Sequence, residues 1–275
     1  MSQVTIPLFT KNGITINASL SRTSSSSKAI IYLHGGGLIF GQRNDLPKEY
    51  IELFNNAGFN FVTIDYPLAP EAKLDQILDS LTKSLNELSH YINTTQMIAM
   101  GRSAGSYLWY LLIKNGAAPR AFLDFYGYAK VNNSIFKMPA PYYTKFPLVP
   151  PFQAQSLIQK SPLVFGDLDQ RYPIYLSSRQ LGTWLSAFLP QVNKADQYSV
   201  SDSELTKFPP TLLIHCINDP DIPYKLAVET SNIIPKAKLI TIDLNEHDFD
   251  RIVSCYTLEI YQQAINWLNN AVTFH

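Results

Sequence analysis

Met97-Ile-Ala-Met-Gly-Arg-Ser-Ala-Gly-Ser-Tyr-Leu-Trp-Tyr-Leu-Leu-Ile113 is the stretch whose reading decides the fold. Met97 to Met100 is a short apolar run that suits a buried strand, and Ala104 to Asn115 reads as a helix. Between them lies Gly101-Arg102-Ser103-Ala104-Gly105. A Gly-x-Ser-x-Gly turn joining a strand to a helix lets the backbone bend so tightly that the serine hydroxyl projects above the sheet. The flanking strand and helix make this match far more specific than the five residues alone.

Working outward, similar apolar runs recur at Ala29 to Leu33, Phe59 to Ile64, Ala121 to Phe125, Thr211 to Ile214 and Lys238 to Leu244. Helical patterns separate them at Lys48 to Ala57, Leu74 to Tyr91, Tyr224 to Ile233 and Tyr256 to Val272. In the last, Ile260, Tyr261, Ala264, Ile265, Leu268 and Val272 share one face, as a helix covering a sheet requires. Alternation of this kind predicts an α/β fold with a mostly parallel sheet flanked by helices. One stretch breaks it: more than eighty residues run from Tyr126 to Pro210, where a crossover needs about a dozen. It opens with five prolines between Pro139 and Pro151, carries Tyr142, Tyr143, Phe146 and Phe152, and predicts one helix around Ser177 to Phe188. Too aromatic for disorder, it is expected to form a cap over residues 130–206, within a single domain of residues 1–275, at the carboxyl ends of the strands. Ser24 to Ser27 reads as a solvated turn.

Composition excludes several functions. The 22 Lys and Arg balance 22 Asp and Glu in 275 residues, so nothing marks the chain for nucleic acid or an anionic membrane. No apolar run reaches the roughly 18 residues of a membrane span, and Met1 to Pro7 lacks the features of a secretory signal. Two cysteines, Cys216 and Cys255, are too few for a disulfide framework and read as small buried hydrophobes. A cytoplasmic protein is expected. A charged fraction of 16% and zero net charge offer no global steering, so any preference for a charged substrate would rest on local groups such as Arg102.

A second glycine motif, His34-Gly-Gly-Gly37 with Gly41, closes the strand at Ala29 to Leu33. Consecutive glycines free backbone N–H groups to converge on one point, which acyl transfer needs where an oxyanion develops. Gly36 and Gly37, with Ala104 after the serine, are the candidate donors. A nucleophilic serine needs a base, and the base needs a carboxylate that orients it. Asp219 follows the strand at Thr211 to Ile214, and His247 follows the next strand, so Ser103, Asp219 and His247 fall in the order this chemistry takes on parallel sheets. Asp221 is the alternative acid. Asp219 is favoured because it comes before Pro220 diverts the chain. His34 reads as a loop-orienting group, His215 as satisfied and partly buried, and His90 and His275 as solvated. No His, Cys, Asp and Glu cluster has metal-ligand spacing, and no cofactor is implied.

Together, His34-Gly-Gly-Gly37, Asp65-Tyr-Pro-Leu-Ala-Pro-Glu71, Gly101-Arg-Ser-Ala-Gly105, Asp219-Pro-Asp-Ile-Pro223 and His247-Asp-Phe249 resemble the α/β-hydrolases of the hormone-sensitive-lipase and carboxylesterase type, over about residues 28 to 270. The resemblance implies an α/β-hydrolase fold with Ser103 as nucleophile, Asp219 as acid and His247 as base, and Gly36, Gly37 and Ala104 around the oxyanion. The chain departs from the family pattern at Arg102, where an acidic residue is usual, at Ser106, where glycine is usual, and in having its cap between later strands rather than before His34. The expected activity is hydrolysis of a small or medium acyl ester, a small-molecule substrate. An amidase, acyl-peptidase or arylformamidase on the same residues is the alternative, and a non-catalytic binding protein of the same fold is a third reading.

Overall fold

The computed structural model describes residues 3–23 and 26–272. Ser24, Ser25 and His275 lie outside them. Eight strands form one sheet in the order β1-β2-β4-β3-β5-β6-β7-β8. They are β1 (Gln3–Lys11), β2 (Ile14–Ser21), β3 (Ala29–Leu33), β4 (Asn60–Ile64), β5 (Met97–Arg102), β6 (Phe122–Phe125), β7 (Thr211–Cys216) and β8 (Ala237–Ile242). β1 and β2 make an antiparallel hairpin on one edge, turned by Asn12-Gly13 with both φ values positive, the pair that a tight hairpin favours. From β4 to β8 every pairing is parallel. The helices are α1 (Lys48–Asn56), α2 (Leu74–Leu88), α3 (Ala104–Lys114), α4 (Pro151–Ser156), α5 (Leu168–Leu181), α6 (Trp184–Phe188), α7 (Asp202–Leu205), α8 (Tyr224–Ile233) and α9 (Cys255–Ala271).

Side chains alternate across each strand, so one run of sequence feeds two cores. From β3, Ile31 and Leu33 enter one apolar cluster while Ile30 and Tyr32 enter the other. The first is closed by α2, α3 and the inserted segment. The second is closed by α1 and α9, where the Tyr50 ring stacks on Tyr261 at 3.8 Å and its hydroxyl meets Thr257 Oγ1 at 2.7 Å. The apolar face expected for α9 is the buried one. Among the described residues no helix is long and apolar enough to cross a membrane.

The single helix expected around Ser177 to Phe188 is two. Gly182, in the left-handed conformation at φ 67°, ends α5, and α6 starts at Trp184. α5 also begins nine residues earlier than expected, behind an Asp167 carboxylate that accepts from Asp169 N and Gln170 N. Its buried face is polar: Arg171, Tyr175, Ser178 and Arg179 lie there with Ile174, so no apolar stripe marks its first turns in the sequence. Cys216 is buried as expected, whereas Cys255 is exposed at the start of α9.

Candidate active site

The turn at Gly101 to Gly105 sits where β5 ends. Leu33 pairs with Gly101, and Arg102 with Phe125, so the ends of β3 and β6 flank it. Ser103 takes φ 52° and ψ −118°, a costly conformation for a side chain with a β-carbon, and its N–H is anchored on Phe125 O at 2.8 Å. The helix then runs so close to β3 that a β-carbon on Gly105 would lie 2.1 Å from Leu33 O. Only glycine fits there.

His247, on the loop after β8, places Nε2 2.7 Å from Ser103 Oγ and Nδ1 2.7 Å from Asp219 Oδ2. Asp219, not Asp221, is thus the carboxylate in hydrogen-bond contact with the imidazole. The other oxygen of Asp219 accepts from the N–H groups of Asp221 and Ile222 at 2.8 and 2.9 Å, in the turn that Pro220 begins. Burial penalises the charged form of both side chains. That penalty is outweighed for Asp219 by His247 and His215, which hold its pKa below the usual carboxylate value, and for His247 by the carboxylates of Asp219, Asp221 and Asp248, which hold its pKa above the usual imidazole value.

His215 is more than a satisfied, partly buried histidine: it supports the Asp219 turn. It is fully buried at the end of β7, with Nε2 3.0 Å from Asp219 Oδ2 and 2.9 Å from Ile222 O. Both neighbours accept, so Nε2 carries the proton and steadies the Asp219 turn. The spacing of His215 and Asp219, four residues apart across a strand end, was the available signal. His34 behaves as read: its Nδ1 lies 2.8 Å from Gly35 O and its ring stacks on Tyr66 at 4.2 Å.

Gly36 and Gly37 have φ values of 92° and 59°, and Gly36 O accepts from Ile39 N and Phe40 N in a tight turn. That turn leaves their N–H groups without a backbone acceptor among the described residues. Gly35, Gly36 and Gly37 share a cavity wall with Ser103. Ala104 opens α3, where the first N–H groups of a helix have no partner within it. The inserted segment grips this loop. Trp184 Nε1 donates to Gly37 O at 3.1 Å, and the Tyr175 ring fills the space a β-carbon on Gly37 would need. Arg171 donates to Ile39 O and Ala69 O while pairing with both oxygens of Glu71 at 2.9 and 2.7 Å.

Arg102 corrects an expectation. It is buried, and its Nη2 donates to Asp250 Oδ1 at 2.7 Å while Nε meets the Tyr126 hydroxyl. Tyr126 and Tyr261 hydroxyls also donate to Asp250. The guanidinium is spent on tying the residue next to Ser103 to the loop that carries His247. It is not a free group that could select a charged substrate. The exposed charges at the cavity are instead mostly acidic: Asp167, Asp169 and Glu246, with Arg251 paired to Asp248.

The cavity above Ser103 and His247 has a volume of about 990 Å³ and opens to solvent. Tyr142 and Tyr143, from the aromatic start of the inserted segment, line it. Phe146 and Phe152 do not. Phe146 packs on Tyr142 at the surface, and Phe152 is 76% exposed.

A family model for the alpha/beta hydrolase fold matches residues 30–228, which include Ser103 and Asp219 and stop short of His247. The chain belongs to the α/β-hydrolase fold family. This α/β-hydrolase is similar in structure to a Staphylococcus aureus Mu50 protein of unknown function, with a TM-score of 0.91 and 28% identity over 98% of this chain and 100% of that one. It is also similar to an α/β-hydrolase superfamily protein of Enterococcus faecalis, with a TM-score of 0.86 and 28% identity over 98% and 99% of the two chains. Carboxyl esterase 2 of Tuber melanosporum shares the fold at a TM-score of 0.68 and 19% identity, over 99% of this chain and 88% of that one. By sequence, 183 residues are 27% identical to part of a non-reducing polyketide synthase of Penicillium roqueforti, over 58% of this chain. This chain spans only 7% of that relative's length.

Proposed function

We propose that the protein is a serine hydrolase acting on carboxylic esters with small or medium acyl groups. The observation that carries this reading is the unbroken hydrogen-bond chain from Ser103 Oγ through His247 to Asp219, at 2.7 Å in each link, on the floor of an open cavity. Ser103 Oγ attacks the ester carbonyl while His247 Nε2 takes its proton. Asp219 holds the imidazole with Nδ1 protonated and stabilises the imidazolium that forms. The N–H groups of Gly36, Gly37 and Ala104 receive the developing oxyanion. His247 then protonates the departing alkoxide, and a water activated by the same nitrogen releases the acid. No step calls for a cofactor.

The α/β-hydrolase membership and the esterases among its structural neighbours agree with this reading. Residues 130–206 act in it as a cap that shapes the acyl site, with Tyr142, Tyr143 and Tyr175 in the wall. A fluorophosphonate probe and a series of 4-nitrophenyl esters of increasing chain length test the proposal. The expected result is one covalent adduct, on Ser103, and fastest turnover with short or medium chains. A folded protein that takes no adduct and turns over no ester would overturn it.

A further inference from the structure

Asp219 and Asp221 are separated by one proline, yet they face opposite nitrogens of the same imidazole. Asp219 Oδ2 lies against Nδ1, whereas Asp221 Oδ2 is 4.0 Å from Nε2, the nitrogen that also faces Ser103 Oγ. Asp221 is buried among protein atoms but forms part of the cavity wall beside Ser103 and His247. The inserted segment holds it there. Tyr175 donates its hydroxyl to Oδ2 at 2.7 Å, and the Arg179 guanidinium stands 2.9 Å from Oδ1, itself enclosed by the rings of Phe136, Tyr143, Tyr175 and Trp184.

A gap of 4.0 Å is too long for a hydrogen bond between Nε2 and Oδ2. It is the right size for one further heavy atom, about 2.9 Å from each, to sit between them. In acyl transfer the atom that comes to Nε2 is the leaving-group atom, which takes its proton there. An ester oxygen arrives with lone pairs only, and a carboxylate beside it gains nothing. An amide nitrogen arrives carrying a hydrogen, which turns outward as the nitrogen loses conjugation with the carbonyl and then needs an acceptor. Oδ2 can accept two hydrogen bonds and spends one on Tyr175.

We propose that Asp221 is a specificity-determining residue that accepts the leaving-group N–H, and that the site therefore cleaves amides bearing an N–H as well as esters. The inference rests on the serine-hydrolase reading above. The step balances as follows. Ser103 Oγ bonds to the carbonyl carbon and its proton passes to His247 Nε2, while the carbonyl π pair moves to the oxygen. On collapse the C–N pair leaves with nitrogen, which takes the proton from Nε2 while its own N–H donates to Asp221. The free amine departs, and water hydrolyses the acyl-serine to the carboxylic acid.

Three matched substrates test this: 4-nitrophenyl butyrate, the secondary anilide N-(4-nitrophenyl)butanamide, and its N-methyl derivative, which has no N–H. The wild-type protein is expected to hydrolyse the ester and the secondary anilide, and the N-methyl anilide at least tenfold more slowly. Asp221→Asn should lower kcat about thirtyfold on the secondary anilide and about threefold on the other two. That tenfold selective loss is worth about 1.4 kcal/mol and falls in kcat, because the N–H turns toward its acceptor only as the bond breaks. An equal loss on all three substrates would mean Asp221 acts only in holding the loop and would overturn the inference. So would a protein that hydrolyses the ester but neither anilide. If Asp221→Asn does not fold, equal wild-type rates on the two anilides overturn it. Failure of the underlying reading looks different: no adduct on Ser103 and no ester turnover.

Discussion

The floor of the cavity is fastened by one buried arginine and the roof by two, and the two parts are assembled in different ways. On the floor, Ser103 and His247 sit on turns after β5 and β8, parallel strands with β6 and β7 between them, and Arg102 ties one turn to the other through Asp250. On the roof, α5 reaches down from the inserted segment. Arg171 engages Glu71 and the carbonyl of Ile39, and Arg179 engages Asp221. Ser103 and Asp219 are placed by backbone conformation within a few positions of themselves, and the floor's long-range tie is Arg102 to Asp250. Roof residues are placed by partners some forty to a hundred and thirty positions away. Chemistry should therefore fail most sharply on floor substitutions, while roof substitutions should trade stability and selectivity.

The sharpest test of the floor is Ser103→Ala, which should cut kcat by roughly 10⁶-fold with the thermal midpoint little changed, because the strained turn does not depend on the hydroxyl. Measurable turnover within a hundredfold of wild type would move the nucleophile elsewhere. Next comes Asp219→Asn, with an expected loss of about 10⁴-fold as the imidazole loses its tautomer. Asp221→Asn should cost the ester reaction only a few-fold. If Asp221→Asn proves the more damaging on esters, the two carboxylates have exchanged roles.

Asp219→Asn should also move the pH profile. In the proposed mechanism His247 must be neutral to take the Ser103 proton, so kcat/KM should rise with pH through its pKa, which the Asp219 charge holds above the ordinary imidazole value. Removing the charge should shift the rising limb to lower pH. Stability carries the same coupling with a definite sign. Because the folded state favours imidazolium, the His247 contribution is full below about pH 6.5 and is lost as pH rises through the raised folded value. Asp219, held low, contributes above about pH 3.9, and that contribution is lost as pH falls through its depressed folded value. A limb that stays put in the variant would disprove the electrostatic account of the pair.

The same division explains what could be read beforehand. Gly101, Gly105, Gly36 and Gly37 stand where the backbone has no room or no ordinary conformation for a side chain, and such demands leave a mark on adjacent letters of sequence. The mostly parallel arrangement was legible because β3 to β7 are apolar runs buried on both faces, whereas the edge strand β8 is only partly buried. Arg102 was visible as a departure from a family pattern, but its partner Asp250 lies 148 positions away, and only the fold discloses the pairing. α5 was misjudged because its buried face carries arginine and tyrosine. Hydropathy sees an exposed polar stretch where long-range ion pairs have made those side chains internal.

Arg171→Met tests the roof directly. Arg171 and Glu71 are both almost wholly buried, and removing one partner leaves the other as an uncompensated charge, which costs about 3–5 kcal/mol. The thermal midpoint should fall by roughly 10 °C, with Ser103 still labelled by a fluorophosphonate at low temperature. Arg102→Met breaks an equally buried pair with Asp250, and it should both destabilise and slow labelling, since it frees the turns that carry Ser103 and His247. If the two variants lose labelling in equal measure, roof and floor are not mechanically separate.

The smallest expected effect is the most specific to the contact between the two regions. Trp184→Phe keeps an aromatic ring among Phe136, Tyr175 and Phe188 but removes the N–H that donates to Gly37 O. A neutral hydrogen bond of this kind contributes about 1 kcal/mol. The peptide it steadies precedes the bend at Leu38 and shares its residue with one of the proposed oxyanion donors, so part of that energy should appear in the rate. A fall in kcat of about twofold, at nearly constant KM, is expected, because the donor matters more as the oxyanion forms than when substrate binds. A change confined to KM would instead place Trp184 in the acyl-binding wall, and the roof would then select substrates without helping to hold the oxyanion loop.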